Sequence, residues 1–321
     1  MKAIRQNGPH PNPLPEGESA NARPKPINGV LLLDKPAGWT SNAALQKAKR
    51  LYNAAKAGHT GTLDPFASGL LPICFGQATK FSSYALHGDK AYRATLKLGI
   101  TTTTGDTEGT PVEIRSVQTS LEAIRELLPR FTGHLQQIPP MHSALKHQGK
   151  ALYEYARQGL VVERKPRDIT IYSLQAETLE SDRLILDVHC SGGTYIRTLA
   201  EDIGKAMGCG AHLIGLERTA SGTFSISQAT TLEALEAMDA TERQSALLPP
   251  DSLVDSLPRI DISAANARLL AHGKHIDSLA NCPGGIVRAY APHGFFGLLE
   301  AGDRLVPHRL MDTGSIAQLA V

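Results

Sequence analysis

The stretch GHTGTLDPFASGLLP, Gly58 to Pro72, sets one carboxylate, Asp64, among glycines, threonines, prolines and a single histidine, His59. No second acid lies within the stretch, and no metal-ligand spacing surrounds it. A lone carboxylate so constrained either starts an Asp-Pro turn or is a reactive group held in place. Pro65 biases Asp64 towards an extended backbone and withholds the next N–H. Gly58, Gly61 and Gly69 lack a Cβ, so backbone there can pass close to a ligand. Taken singly, the turn is the favoured reading.

Two further groupings could bear on chemistry. From Met141 to Arg167 the chain carries six Lys/Arg against two Glu, with Tyr153 and Tyr155 between them. Such a stripe could follow a phosphate backbone, although a solvated helix face has much the same composition. In GGTYIRTLAEDIG, Tyr195 and Arg197 stand two apart and would share a face if the segment were a strand. The alternative is an exposed edge-strand pair. Twelve histidines offer so many pairings that no isolated one signifies, His59 excepted. Phosphate loops of the form GxxxxGK[ST], HExxH metal motifs, EF-hand loops and GxSxG elbows are all missing from the sequence.

The elements that must position these groups read as a mixture. Gly29–Leu33 predicts a buried strand, and Ser41 predicts a cap for the helix NAALQKAKRLYN. AYRATLKLGI alternates as a strand, and TTTTGDTEGT reads as a loop. SLEAIRELLPRF and ALYEYARQG have helical spacing. ITIYSLQAETL and RLILDVHCSGGTYI predict two strands, and IRTLAEDIGKAMGCG a helix stopped by Gly208 and Gly210. Strands and helices mix without regular alternation, which predicts α+β rather than a doubly wound sheet. LLPPDSLVDSLPRI marks a boundary, and beyond it GGIVRAY, GFFGLLEAG and DRLVPHRLM predict a small β-rich unit.

At 321 residues, two domains are the natural expectation. The first 26 residues, rich in Pro and Asn, have no apolar run and are expected to be disordered, without a signal peptide. No stretch approaches the roughly 20 apolar residues that cross a bilayer. Four cysteines without a CxxC pair fit reduced thiols in a cytoplasmic protein. The net charge of +2 neither demands nor excludes a nucleic-acid partner, so local charge decides.

Taken together, these segments resemble the bacterial tRNA pseudouridine-55 synthases of the TruB family, densely from Gly29 to about Ile226. GVLLLDKPAGWTS is similar to the first motif and GHTGTLDPFASGLLPICFGQATKF to the catalytic motif. KAYRATLKLG resembles the tyrosine-bearing strand, and QIPPMHSALKHQGKALYEYAR the tRNA-contacting insertion, here around 134–167. GGTYIRTLAEDIG and GAHLIGLERT resemble the last site motifs. Thr103 stands where relatives commonly carry Asp, and His142 where many carry Tyr.

The resemblance implies a pseudouridine-synthase fold over 27–250, with a central mixed, mostly antiparallel sheet, and a PUA-like RNA-binding domain over 251–321. It assigns catalysis to Asp64, to Tyr92 lying against the target base, and to Arg197 paired with the aspartate. His59, Tyr195, Leu216, Lys35 and Lys80 are implied to bind substrate. The implied partner is the TΨC stem-loop of tRNA, met by a monomer with no cofactor, metal or membrane.

Pseudouridine formation breaks an N–C bond, turns the base and forms a C–C bond, with no net redox change. It needs an ionised carboxylate in a water-excluding pocket. Burial would raise the pKa of Asp64, and an arginine able to grip both oxygens would counter that. Two other readings remain at this level: an RNA-binding module without turnover, and a phosphoryl-transfer nucleophile, which would need further acids to hold Mg²⁺.

Overall fold

Val30, Leu31 and Leu33 have no exposed surface, because the first strand of the chain is covered on both faces. Leu31 and Leu33 face one apolar cluster, Val30 and Leu32 another, as the two-residue period of a strand requires. The computed structural model describes residues 26–312. The disorder expected of the N-terminal extension therefore falls, apart from Pro26, outside the described residues.

The chain opens with β1 (Gly29–Lys35), α1 (Ser41–Leu51), β2 (Ala57–His59), β3 (Ser68–Phe75), α2 (Ser82–His87) and β4 (Lys90–Leu98). A small side hairpin, β5 (Ile100–Thr102) with β6 (Pro111–Ile114), precedes α3 (Leu121–Leu127) and β7 (Gly133–Gln137). The basic insertion carries a second hairpin, β8 (Lys146–His147) with β9 (Lys150–Ala151), and the short α4 (Leu152–Ala156). There follow β10 (Arg167–Glu180), β11 (Arg183–Cys190), α5 (Ile196–Ala206) and β12 (Ala211–Ser221). Two short strands, β13 (Phe224–Ser225) and β14 (Thr230–Thr231), lead to α6 (Leu232–Ala237) and α7 (Ala240–Ser245).

Ten of these strands form one sheet in the order β14-β1-β3-β12-β4-β11-β10-β7, with β2 beside β3 and β13 beside β12. Only β1–β14 and β3–β12 run parallel; every other pair is antiparallel. The fold is thus α+β around a mixed, mostly antiparallel sheet. At the parallel seam Gly69 lies opposite Arg218. Its φ is +99°, and a Cβ there would sit 2.5 Å from the Arg218 carbonyl oxygen, so only glycine lets the two backbones meet.

Several boundaries differ from the sequence reading. Thr40, not Ser41, caps α1, its Oγ1 accepting from the Ala43 N–H. Ser41 turns inward instead and is buried. The strand RLILDVHC ends at Cys190, so Tyr195 and Arg197 do not share a strand face. Tyr195 is the residue before the first turn of α5, and Arg197 lies in that turn.

The C-terminal unit holds β15 (Arg259–Asp261), α8 (Ala264–Ala271), β16 (Ile276–Asp277), β17 (Gly285–Ala291), β18 (Gly294–Ala301) and β19 (Arg304–Leu310). Its five strands form a separate sheet around Val287, Ala289, Phe296, Leu299 and Leu305. A shared apolar cluster joins this unit to the large sheet: Leu253, Val254 and Leu298 pack with Val30, Leu32, Leu70 and Phe81. The rings of Phe81 and Phe295 meet edge-on, 5.2 Å apart.

Candidate active site

Asp64 starts the turn that the sequence offered. Its carbonyl accepts the Ala67 N–H at 3.1 Å, closing a turn with Pro65 second, where proline's fixed φ suits it. The neighbouring backbone is held on each side. Ser41 Oγ donates to the Leu63 carbonyl at 2.8 Å and accepts the Leu63 N–H at 2.7 Å, while Gly38 N–H donates to the Pro65 carbonyl at 2.8 Å. With its backbone fixed in this way, the Asp64 side chain enters a cleft of about 270 Å³.

Arg197 Nε lies 3.0 Å from Asp64 Oδ2, and its side chain is only 6% exposed. The guanidinium does not grip both oxygens of one carboxylate, as the sequence reading expected. Its Nη1 lies 3.4 Å from Asp106 Oδ2 and donates to the Thr104 carbonyl at 3.3 Å. Its Nη2 donates to the His142 carbonyl at 2.6 Å. A single fork is shared between two carboxylates and two carbonyls.

Asp106 escaped the sequence reading because it sits in TTTTGDTEGT, which shows only a polar loop. The loop wraps the acid. Asp106 Oδ1 accepts from Thr104 Oγ1 at 2.5 Å and from the Glu108 N–H at 3.0 Å, and the residue is 1% exposed. An acid three residues from Thr103 was the available signal, but spacing alone gives no hint that it faces Arg197.

Burial raises the pKa of the Asp64 carboxyl above its ordinary value, and the charge of Asp106 adds to this. Arg197, Lys35 and His142 act in the opposite direction and only partly offset it. The sequence reading gave the arginine a larger hand in that balance than the structure does.

Tyr92, on β4, lines the same cleft and stands across the ladder from Arg218 of β12. Burial raises its phenol pKa, while the charge of the Arg218 guanidinium works the other way. Arg218 is 1% exposed; its Nε donates to the Leu70 carbonyl at 2.7 Å and its Nη2 to the Gly61 carbonyl at 3.2 Å. It therefore braces Tyr92 against the Asp64 loop. The sequence reading quoted it within GAHLIGLERT without singling it out.

Tyr195 and Leu216 also line the cleft, with Gly61, Leu86, Lys90 and Ser143. The remaining candidates lie elsewhere. Lys35 is fully buried, donating to the carbonyls of Pro36 at 2.9 Å and Trp39 at 2.7 Å, and burial lowers its pKa to about 8. It acts on Asp64 through its charge, not on the cleft surface. Lys80 donates to the Leu310 carbonyl at 3.0 Å and belongs to the joint with the C-terminal sheet. His59 closes β2 beside Ile73, outside the cleft wall; burial, seconded by the Arg218 charge, lowers its pKa, and its Nδ1 has no hydrogen-bond partner among the described residues.

A larger cavity of about 650 Å³ under α3 shares none of these residues. Its arginine, Arg125, is already bound to the Ala176 carbonyl through Nε and Nη2, which leaves little for chemistry. Among the described residues no cluster of three or more His, Cys, Asp or Glu is placed to hold a metal ion. No described helix is long and apolar enough to cross a membrane.

A solved structure titled "Crystal Structure of a Cbf5-Nop10-Gar1 Complex" superposes with a TM-score of 0.69 at 26% identity, covering 88% of this chain and 85% of that one. The large sheet and its cleft thus define a pseudouridine-synthase fold. The family model described as "TruB family pseudouridylate synthase (N terminal domain)" matches residues 49–196, and "tRNA pseudouridylate synthase B C-terminal domain" matches 197–255. The chain is 56% identical to the tRNA pseudouridine synthase B of Thiobacillus denitrificans, over 89% of its own length and 97% of the relative. It is 52% identical to that of Aromatoleum aromaticum, over 91% of its own length and 95% of the relative. The chain belongs to the TruB family of pseudouridylate synthases.

Proposed function

We propose that this cleft isomerises uridine 55 of the tRNA TΨC arm to pseudouridine, with Asp64 as the catalytic carboxylate. The observation that carries the reading is Asp64 held 3.0 Å from a buried Arg197 at one wall of a cleft that also presents Tyr92. The target base must leave its stack, at a cost of a few kcal/mol. Tyr92 stacks on the extruded uracil, a contact worth ~1–3 kcal/mol. His59 helps to fill the vacated place in the RNA. Tyr195 and Leu216 line the pocket for the base, and the basic insertion follows the RNA backbone.

The carboxylate cleaves the glycosidic bond by attack within the nucleotide or by abstracting a sugar proton, and the base re-forms its bond through C5. The released C5 proton needs an acceptor; Tyr92 fills that role as its phenolate, the form that the Arg218 charge favours against burial. No cofactor takes part in the proposed chemistry, and the enzyme acts in the cytoplasm as a monomer. The C-terminal sheet adds a PUA-like RNA contact.

The test is tritium release from tRNA labelled at uridine C5, with the product mapped along the tRNA and Asp64→Asn run beside wild type. Release by wild type alone, with pseudouridine at position 55, supports the reading. Binding without release would leave an RNA-binding module instead.

A further inference from the structure

Gln137 is the last residue of β7 and pairs across the ladder with Arg167, the first residue of β10. Between them runs the whole basic insertion, 138–166, so Gln137 stands at its stem. Its side chain is 5% exposed and points away from solvent into the start of α5. There Oε1 accepts the Tyr195 N–H at 2.8 Å and Nε2 donates to the Tyr195 carbonyl at 3.0 Å. The amide engages both polar groups of one backbone residue, much as a neighbouring strand would.

That residue is not an arbitrary one. The Tyr195 carbonyl also accepts the Leu199 N–H at 3.1 Å, the first helical bond of α5, and no side chain of its own caps the helix. Helix starts leave backbone N–H groups without helical partners, so Gln137 supplies what the Tyr195 N–H would otherwise lack. Arg197 follows two residues later and reaches back into the insertion through Nη2 and the His142 carbonyl. Ser143 of the insertion lines the same cleft as Tyr195. The insertion is thus tied at its stem and in its body to the two residues that flank Ile196.

We propose that Gln137 is a positioning residue for the proposed isomerisation, fixing the Tyr195 backbone so that Arg197 meets Asp64 only when the insertion is seated. The inference rests on the functional reading above. Gln137 touches neither Asp64 nor the cleft surface; it acts through the first turn of α5. A displacement of about 1 Å in such a support can cost roughly a hundredfold in rate.

The experiment compares full-length wild type, Gln137→Met and Gln137→Glu by single-turnover tritium release at saturating enzyme, with tRNA affinity and melting temperature measured in parallel. Gln137→Met keeps the size and removes both hydrogen bonds, and a loss of about tenfold or more in rate is expected with tRNA affinity within threefold. Gln137→Glu makes the test specific. An ionised Glu can only accept and would repel the Tyr195 carbonyl, whereas a protonated Glu has one donor and one acceptor, as the amide does. The charged and titratable groups acting on Tyr195 in this region are Arg167, Arg197 and Asp64. The deficit of Gln137→Glu relative to wild type should therefore be large near about pH 8 and shrink as the buried carboxyl takes up a proton towards about pH 5.5.

Rates within twofold of wild type for Gln137→Met, a Gln137→Glu deficit that ignores pH, or a loss confined to tRNA affinity would each overturn the assignment. A wild type inert on tRNA would instead remove the functional reading, and this inference with it.

Discussion

Arg197 meets Asp64 through Nε alone, at 3.0 Å, because its other two nitrogens are committed to Asp106, Thr104 and His142. Asp64 Oδ1 is thereby left outside the arginine's grip, in a residue that lines the cleft. A bidentate pair would have bound Asp64 more firmly and left it less free to react.

Lysine cannot reproduce this arrangement. Its point charge has no rigid fork with which to hold two carboxylates and two carbonyls at fixed angles. Arg197→Lys is expected to slow single-turnover tritium release by roughly a hundredfold or more, with tRNA binding little changed. Turnover at the wild-type rate would show that charge alone suffices.

Asp106 makes a separate prediction. Asn in its place keeps an acceptor for Thr104 and the Glu108 N–H but removes the negative charge facing Arg197. The guanidinium is then drawn towards Asp64. Asp106→Asn should lose about tenfold or more in single-turnover rate while still folding. An unaltered rate would confine Asp106 to holding its loop.

The raised pKa of Asp64 links catalysis to stability with opposite signs. The folded state binds that proton more tightly than the unfolded chain, so ionisation of Asp64 costs stability. The cost is absent below the ordinary value of 3.8 and grows until the pH exceeds the raised folded value. Turnover needs the ionised form and should therefore fall away on the acid side at a pH above 3.8. Asp64→Asn should be inert, yet melt no lower than wild type at about pH 8. A large drop in its melting temperature would mean that the carboxylate stabilises the fold.

At the parallel seam, Gly69→Ala would press a methyl group into the Arg218 backbone at a positive φ. Since Arg218 itself braces Tyr92, strain there reaches the cleft as well as the core. A loss of about 2–4 kcal/mol in unfolding free energy is expected, read from denaturant titration. Wild-type stability would imply that the two strands can separate without cost.

The sequence made legible those features that depend on local pattern. Period-two alternation disclosed β4, and glycine-separated apolar runs disclosed β17, β18 and β19. The α+β class followed from the irregular succession of helices and strands. The TruB resemblance brought Asp64, Tyr92, Arg197, Tyr195 and Leu216 together, and all five line one cleft. What stayed hidden depends on which way a side chain turns. Ser41 looked like a cap, yet it braces Leu63 because Thr40 already fills that role. The resemblance implied that Lys35 and Lys80 bind substrate, but one is fully buried and the other is tied to β19. Asp106, Arg218 and Gln137 act across long sequence separations, and no spacing rule reports such contacts.

The joint between the two sheets has a mechanical meaning. Lys80 donates to the Leu310 carbonyl, Arg309 donates to the Lys80 carbonyl, and Phe81 abuts Phe295, all within six residues of the end of β3. Since β3 follows directly from the Asp64 turn, the C-terminal sheet is bolted to the same strand that follows the proposed catalytic acid. A shift of the C-terminal sheet would therefore be transmitted along β3 to the turn that holds Asp64. A long ligand that touched both the C-terminal sheet and the cleft would thus meet two surfaces joined through one strand.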